Sequence, residues 1–384
     1  MDSLFYQLIR VAIGTQDSLS RLPSNKEWKA LYDMAKKQSL VGVCFAALQR
    51  LGANAEEGFA RIGISKMQYL TWMGMAAKIL QRNEQMDEEV RNVWAMLDAD
   101  GLGPCIMKGQ SVMKYYPEHL RGLRQSGDID VLVAKDDVDV LRYAREKEGE
   151  GMEWSYKHVH LNVPDGSYVD LHYRLAMSRN LWRNARIQQW CRDLKRKGFC
   201  FDAERGYATL EYNDMVVHLL LHALWHFLFE GVGMRQMMDL YFALCTLYEN
   251  EDENEIKNTR EAIGELLKRL KLEKFASACA WMMWTVFEGG REDSFLLSHE
   301  SPLPKPNEVE GRFLLSEIVQ TGNFGHQDER KTVTAEDKGV VRMWKKLVHY
   351  MRLVKRYPSE FLWLPIGTVR VRCWRWKTKR ALGL

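Results

Sequence analysis

The chain has little with which to staple or anchor itself. Its 384 residues hold only 7 cysteines, an odd number, and no two stand in a C-x-x-C pair. That spacing excludes a disulfide framework and a zinc ribbon, and it fits a reducing compartment. Prolines are few, at 9, and no repeat or low-complexity tract interrupts the chain, so collagen-like and linker-dominated architectures are excluded as well. No apolar run reaches the roughly 20 residues of a membrane span. The nearest approach, Met215 to Phe229, is interrupted by His218, His222 and His226. The opening Met1-Asp-Ser-Leu-Phe5 lacks the basic start of a secretory signal. These absences lead to the expectation of a cytoplasmic protein.

The composition is that of a globular chain, 46% hydrophobic and 28% charged, and long enough to bury a core without cross-links. The formal charge of +4 is unevenly spread. Residues 341–384 concentrate Lys and Arg against one acid, Glu360, and the remainder is mildly acidic. Hydrophobic spacings of three and four (Trp28, Leu31, Met34, Ala35; then Leu40, Cys44, Ala47, Leu48) predict helix through most of 1–100. Between 101 and 200 the period shortens. Cys105–Met107 reads as a strand and Gln110–Tyr116 as a short helix. Asp128–Val133 reads as a second strand, Asp137–Lys147 as a helix capped by Asp136, and Tyr156–Val163 with Tyr168–Tyr173 as a hairpin turning at Pro164-Asp165-Gly166. Residues 201–340 return to helix with linker loops, and 341–384 form a basic, aromatic tail. The expected class is α+β, mainly helical, with a small mixed-sheet core flanked by N- and C-terminal helical segments.

Asp128-x-Asp130 falls on the predicted strand. Alternation places both carboxylates opposite Ile129, Val131 and Val133, and Asp170 likewise opposes Val169 and Leu171. Carboxylates gathered on neighbouring strands repel unless cations lie between them, and paired Mg²⁺ ions bridging carboxylates and phosphate oxygens would relieve that repulsion. Lys108-Gly109-Gln110-Ser111 follows the first strand. Its glycine lets a phosphate approach the backbone, Ser111 can add a hydroxyl, and Lys108 a charge. Arg124 is a further candidate for a triphosphate.

These residues resemble a known family. Ile106-Met-Lys-Gly109, Tyr116-Pro117, Arg124, Gly127-Asp-Ile-Asp-Val-Leu-Val133, His160, Val169-Asp-Leu-His172 and the His222…Arg235…Asp239 segment are similar to the uncharacterised nucleotidyltransferase family of the DNA-polymerase-β-like superfamily. The resemblance implies a nucleotidyltransferase-type sheet and an NTP donor. It also implies Mg²⁺ or Mn²⁺ held by Asp128, Asp130 and Asp170, with Asp170 favouring deprotonation of the attacking hydroxyl. Gly109 and Ser111 would face the phosphates. The turn departs from the superfamily, having Lys-Gly-Gln-Ser where Gly-Gly or Gly-Ser is usual. The acceptor is left open among a small molecule, a sugar, a protein and an RNA.

His218, His222 and His226 recur every fourth residue and form one stripe of a helix, without the glutamate of a zinc-hydrolase motif. His222 and His172 are expected beside the reacting groups. The tail has two patterns: Trp344, Leu347, Val348, Met351 and Val354 on one helical face, and the basic-aromatic run Val369–Lys377. These suit an anionic membrane surface or a nucleic acid, or docking on the acidic body. The competing reading of the whole chain is a catalytically silent binding or regulatory module recruited by that tail.

Overall fold

A computed structural model describes residues 3–52, 56–163, 168–248, 252–323, 347–348 and 350–384. Pro164–Gly166, where a turn is expected, and Trp344 lie outside the described residues.

Five helices lead the chain: α1 (Leu4–Ile13), α2 (Asn25–Lys37), α3 (Val41–Arg50), α4 (Glu56–Ile62) and α5 (Lys66–Ala99). Ser24 with Glu27 and Ser65 with Gln68 form capping boxes that fix where α2 and α5 begin, each satisfying backbone donors that a helix start leaves open. Trp28, Leu31, Ala35, Cys44, Ala47 and Leu48 are all buried, as their spacing predicts.

Next come β1 (Pro104–Ile106), a 3-10 turn over Gly109–Tyr115, α6 (Glu118–Arg121), β2 (Ile129–Val133), α7 (Asp137–Glu148), β3 (His158–Asn162) and β4 (Tyr168–His172). The short helix expected at Gln110–Tyr116 is of the tighter 3-10 kind. Asp136 holds the N-cap position of α7 but makes no side-chain cap bond; Asp137 Oδ1 instead accepts from the Val138 amide at 3.0 Å.

After α8 (Leu181–Lys197) the chain forms β5 (Cys200–Asp202) and β6 (Tyr207–Thr209), a hairpin inside a stretch expected to be helical. Then follow α9 (Tyr212–Phe229), α10 (Met234–Tyr248), α11 (Glu253–Leu270), α12 (Glu273–Phe287), α13 (Glu308–Thr321), α14 (Pro358–Phe361) and α15 (Leu364–Leu382). Asp252 caps α11 through its own side chain.

The sheet has the order β3-β4-β2-β1-β6-β5. β2 runs parallel to β4 and antiparallel to β1, and β1 runs parallel to β6. One sheet face is apolar: Ile129, Val131, Val133, Val169 and Leu171 pack with Val140 and Leu141 of α7 and with Val90 and Val93 of α5. A second, larger cluster joins the N-terminal helices to α9, α10 and α12. The other sheet face turns its polar residues toward α9.

The tail folds back onto the body. α15 packs on α7, and Trp374 donates Nε1–H to Asp137 Oδ2 at 2.7 Å. Gly367 lets α15 approach closely, since a Cβ there would stand 2.8 Å from the Arg179 carbonyl oxygen. Glu360, the only acid of the tail, is buried. It accepts from Ser178 Oγ at 2.5 Å, from the Arg179 amide at 2.9 Å and from Arg183 Nη1 at 3.3 Å. Leu347, Val348 and Met351, expected to share a docking face, are exposed, and Leu353 is the buried residue of that segment. Among the described residues no helix is long and apolar enough to cross a membrane.

Candidate active site

Strand register assembles the polar face. Asp130 pairs with Asp170, and Leu132 with His172, across the parallel β2–β4 ladder. His160 pairs with Asp170, and His158 with His172, across β4–β3. Side chains of directly paired residues project from the same side of a sheet. One row therefore reads Asp130, Asp170, His160, and the next reads Leu132, His172, His158.

Hydrogen bonds tie the rows together. His172 Nε2–H donates to Asp130 Oδ1 at 3.0 Å, and Lys108 Nζ reaches Asp130 Oδ2 at 2.9 Å. His160 Nδ1–H donates to Asp170 Oδ1 at 2.7 Å, with His158 Nδ1 at 3.6 Å from Oδ2. Burial works against the charged form of Asp130, but the Lys108 charge and the His172 bond outweigh it and hold the carboxyl below its usual range. Asp128, just before β2 and exposed, shifts the opposite way: partial desolvation and then the charge of Asp130 raise it. Neighbouring carboxylates thus occupy different electrostatic settings.

Gly109 carries Lys108 into the site. Its φ of +67° is left-handed, a conformation that favours glycine. Lys108 Nζ also lies 3.5 Å from His222 Nε2, so the ammonium donates and the imidazole accepts. Burial holds His222 well below the ordinary histidine value and takes His218 down to about 3. Both rings are neutral near pH 7. His226 lines the same space and pairs with Glu230, its Nδ1 2.7 Å from Oε2. The stripe is therefore a neutral wall over the carboxylates.

Two cavities meet these groups. Asp128, Asp130, Asp170, Lys108, His172 and His222 are among the residues around a space of about 490 Å³. A smaller recess is lined by Lys108, Gly109, Asp128, Asp130 and Arg235. Ser111 stands apart. It is buried, its Oγ has no hydrogen-bond partner among the described residues, and it lines neither space. Arg124 borders the recess but is committed to Asp239, which its Nε and Nη2 grip at 2.7 and 2.8 Å. The residue expected to reach a triphosphate is thus engaged in an internal ion pair at the edge of that recess.

Sequence reasoning missed His158. It lies in the His-x-His pattern of β3, and its ligand atom is within 4.8 Å of those of Asp170 and His172. A carboxylate flanked by two imidazoles can hold a divalent cation. The alternating polar positions His158 and His160 were the available signal.

This polar sheet face, walled by a histidine helix, belongs to a chain whose residues 24–288 match the uncharacterised nucleotidyltransferase family. The chain is a member of that family. No curated protein and no solved structure matches it.

Proposed function

We propose that the protein transfers a nucleoside monophosphate from an NTP to an acceptor hydroxyl with release of pyrophosphate. The observation that carries this reading is the register of Asp130 beside Asp170, with Asp128 at the strand entrance, on the sheet face opposite Ile129, Val131 and Val133. The donor set suits Mg²⁺ or Mn²⁺: three carboxylates, with Asp128 raised by partial desolvation and then by its acidic neighbour, and imidazoles that add affinity for Mn²⁺. Asp128, Asp130 and Asp170 would hold the ions, which when bound supply charge neutralisation to the phosphates and the departing pyrophosphate.

The remaining work falls to the chain. Lys108 neutralises Asp130 and offers a point charge to a phosphate entering past Gly109. His160 and His172 each fix one carboxylate by a hydrogen bond, so that Asp170 is oriented to take the proton of the acceptor hydroxyl. His218 and His222, neutral and packed over the face, exclude water without adding charge. Positioning and electrostatics then supply the rate enhancement.

The test is thermal stability with ATP, CTP, GTP or UTP, each with and without Mg²⁺ or Mn²⁺. An ion-dependent rise for one nucleotide, absent in Asp128→Asn/Asp130→Asn, is expected, because a ligand that binds only the folded state stabilises it. No rise with any nucleotide overturns the reading in favour of a silent binding module.

A further inference from the structure

A second cavity adjoins the first. It has a volume of about 440 Å³ and shares Lys157, His158 and Glu230 with the space over the carboxylates. Its far wall is Trp374 and Arg375 of α15, so the folded-back tail completes it. Three cations line it: Lys157, Arg179 and Arg375. Their neighbours are rings. Lys157 Nζ lies 5.4 Å from the Trp225 ring centre, the Arg179 guanidinium 5.6 Å from the same ring, and Arg375 5.0 Å from Trp154. Among the described residues none of the three has an ion-pair partner, and Arg179 Nε is buried without a hydrogen-bond acceptor. The one acid in the lining, Glu230, is already engaged by Trp225 Nε1 and His226.

We propose that this cavity is the acceptor site and that it takes an anionic sugar, carrying either phosphate or carboxylate. The inference rests on the nucleotidyl-transfer reading, and the geometry supplies its chemistry. Lys157 and Arg179 are partly buried against aromatic faces without an anionic partner among the described residues, and Arg375 stands exposed at the rim; a phosphate or carboxylate supplies the acceptors the two partly buried cations lack. Trp154 and Trp225 offer flat apolar faces to the C–H side of a sugar ring. A ring seated between them has a hydroxyl to present past His158 toward Asp170.

Binding can be tested without turnover, by tryptophan fluorescence of the full chain. The probes are glucose 1-phosphate, glucuronate, glucose and inorganic phosphate. The expected result is saturable quenching by one or both anionic sugars, which tells phosphate from carboxylate. Binding should weaken about tenfold or more in Arg375→Gln and Lys157→Gln and stay unchanged in Arg372→Gln, on the exposed side of α15. Equal response to glucose overturns the anionic requirement, and displacement by ATP assigns the cavity to the nucleotide instead. If neither anionic sugar binds while an NTP still stabilises the protein, the acceptor-site inference fails alone. Sugar binding with no response to any NTP leaves it standing and defeats nucleotidyl transfer.

A separate observation concerns the outer side of α15. Its docked face is Gly367, Trp374, Thr378 and Leu382. The opposite face is also apolar: Ile366 is 49%, Val369 57% and Trp376 57% exposed, continuing the line of Leu362 at 70%. Exposed Arg372, Lys377 and Lys379 flank that line, and Arg380 lies over the Trp376 ring at its end. We infer that this stripe rests on an anionic lipid surface. Aliphatic residues at Leu362, Ile366 and Val369 gain from acyl chains what a polyanion in water does not offer. Two copies meeting along the stripe would oppose like charges. The protein should sediment with vesicles of phosphatidylcholine and phosphatidylglycerol but not with phosphatidylcholine alone, and Val369→Ser/Trp376→Ser should abolish this without changing the melting point. Absence of sedimentation, or a dimer by light scattering that the same variant dissolves, overturns the inference.

Discussion

Arg124 and Asp239 stand 115 residues apart in the chain and meet edge to edge beneath the site, through bonds of 2.7 and 2.8 Å. The Tyr116 hydroxyl donates to the same carboxylate at 2.7 Å. Arg235, next to them, is brought down to about 10 by burial and then by the Arg124 charge. This buried knot joins β2's approach to α10, and so joins the carboxylate strand to the helices above it.

Breaking the knot on one side leaves a buried charge without its partner. Asp239→Asn should cost about 3–5 kcal/mol in urea unfolding. The double variant Arg124→Met/Asp239→Leu should lose less than the two single changes added together. Additive losses would mean that the pair is not coupled.

Asp128 supports a prediction that separates stability from activity. Its carboxyl is raised by partial desolvation and the nearby Asp130 charge. A folded-state value above the unfolded one means that the ionised form at pH 7 opposes folding. Asp128→Asn should therefore raise the melting temperature of the ion-free protein while lowering nucleotidyl transfer by about 10²-fold or more. A fall in melting temperature would show that Asp128 supports the fold.

For the histidine wall, His218 is set at about 3 by burial first and the Lys108 charge second, against an ordinary 6.5. The unfolded chain then binds a proton that the folded one refuses. Stability should decline as pH falls from 6.5 toward 3, at about 1.4 kcal/mol per pH unit for this residue. His218→Asn should flatten the slope of urea-unfolding free energy between pH 7 and 5. An unchanged slope would assign the acid sensitivity to other groups.

Glu360 anchors the tail, with Arg183 as its buried partner at 3.3 Å. Glu360→Gln should loosen α15, read as faster hydrogen exchange across Leu364–Leu382, while NTP-induced stabilisation persists. Unaltered exchange would show that the Trp374 contacts suffice.

Much of this arrangement was legible from spacing. Period-two alternation is a local property, so the polar side of β2 and the pairing of apolar Ile129, Val131 and Val133 could be read directly. Capped amphipathic helices such as α2 were equally plain. The β5–β6 hairpin was not, because each strand has only three residues and owes its place to the edge of β1. Arg124's partner was hidden for another reason: nothing near residue 124 announces a carboxylate on α10. The tail's fate depended on Glu360, which in sequence is one acid among many bases and in the structure is the point of attachment.

The span matched by the family ends at residue 288, whereas one wall of the cavity beside the carboxylates is built from Val371, Trp374 and Arg375. Residues inside and outside the matched span therefore face one another across a single cavity. Exchange of the last segment among relatives would alter what that cavity admits and leave the strand that carries the aspartates untouched.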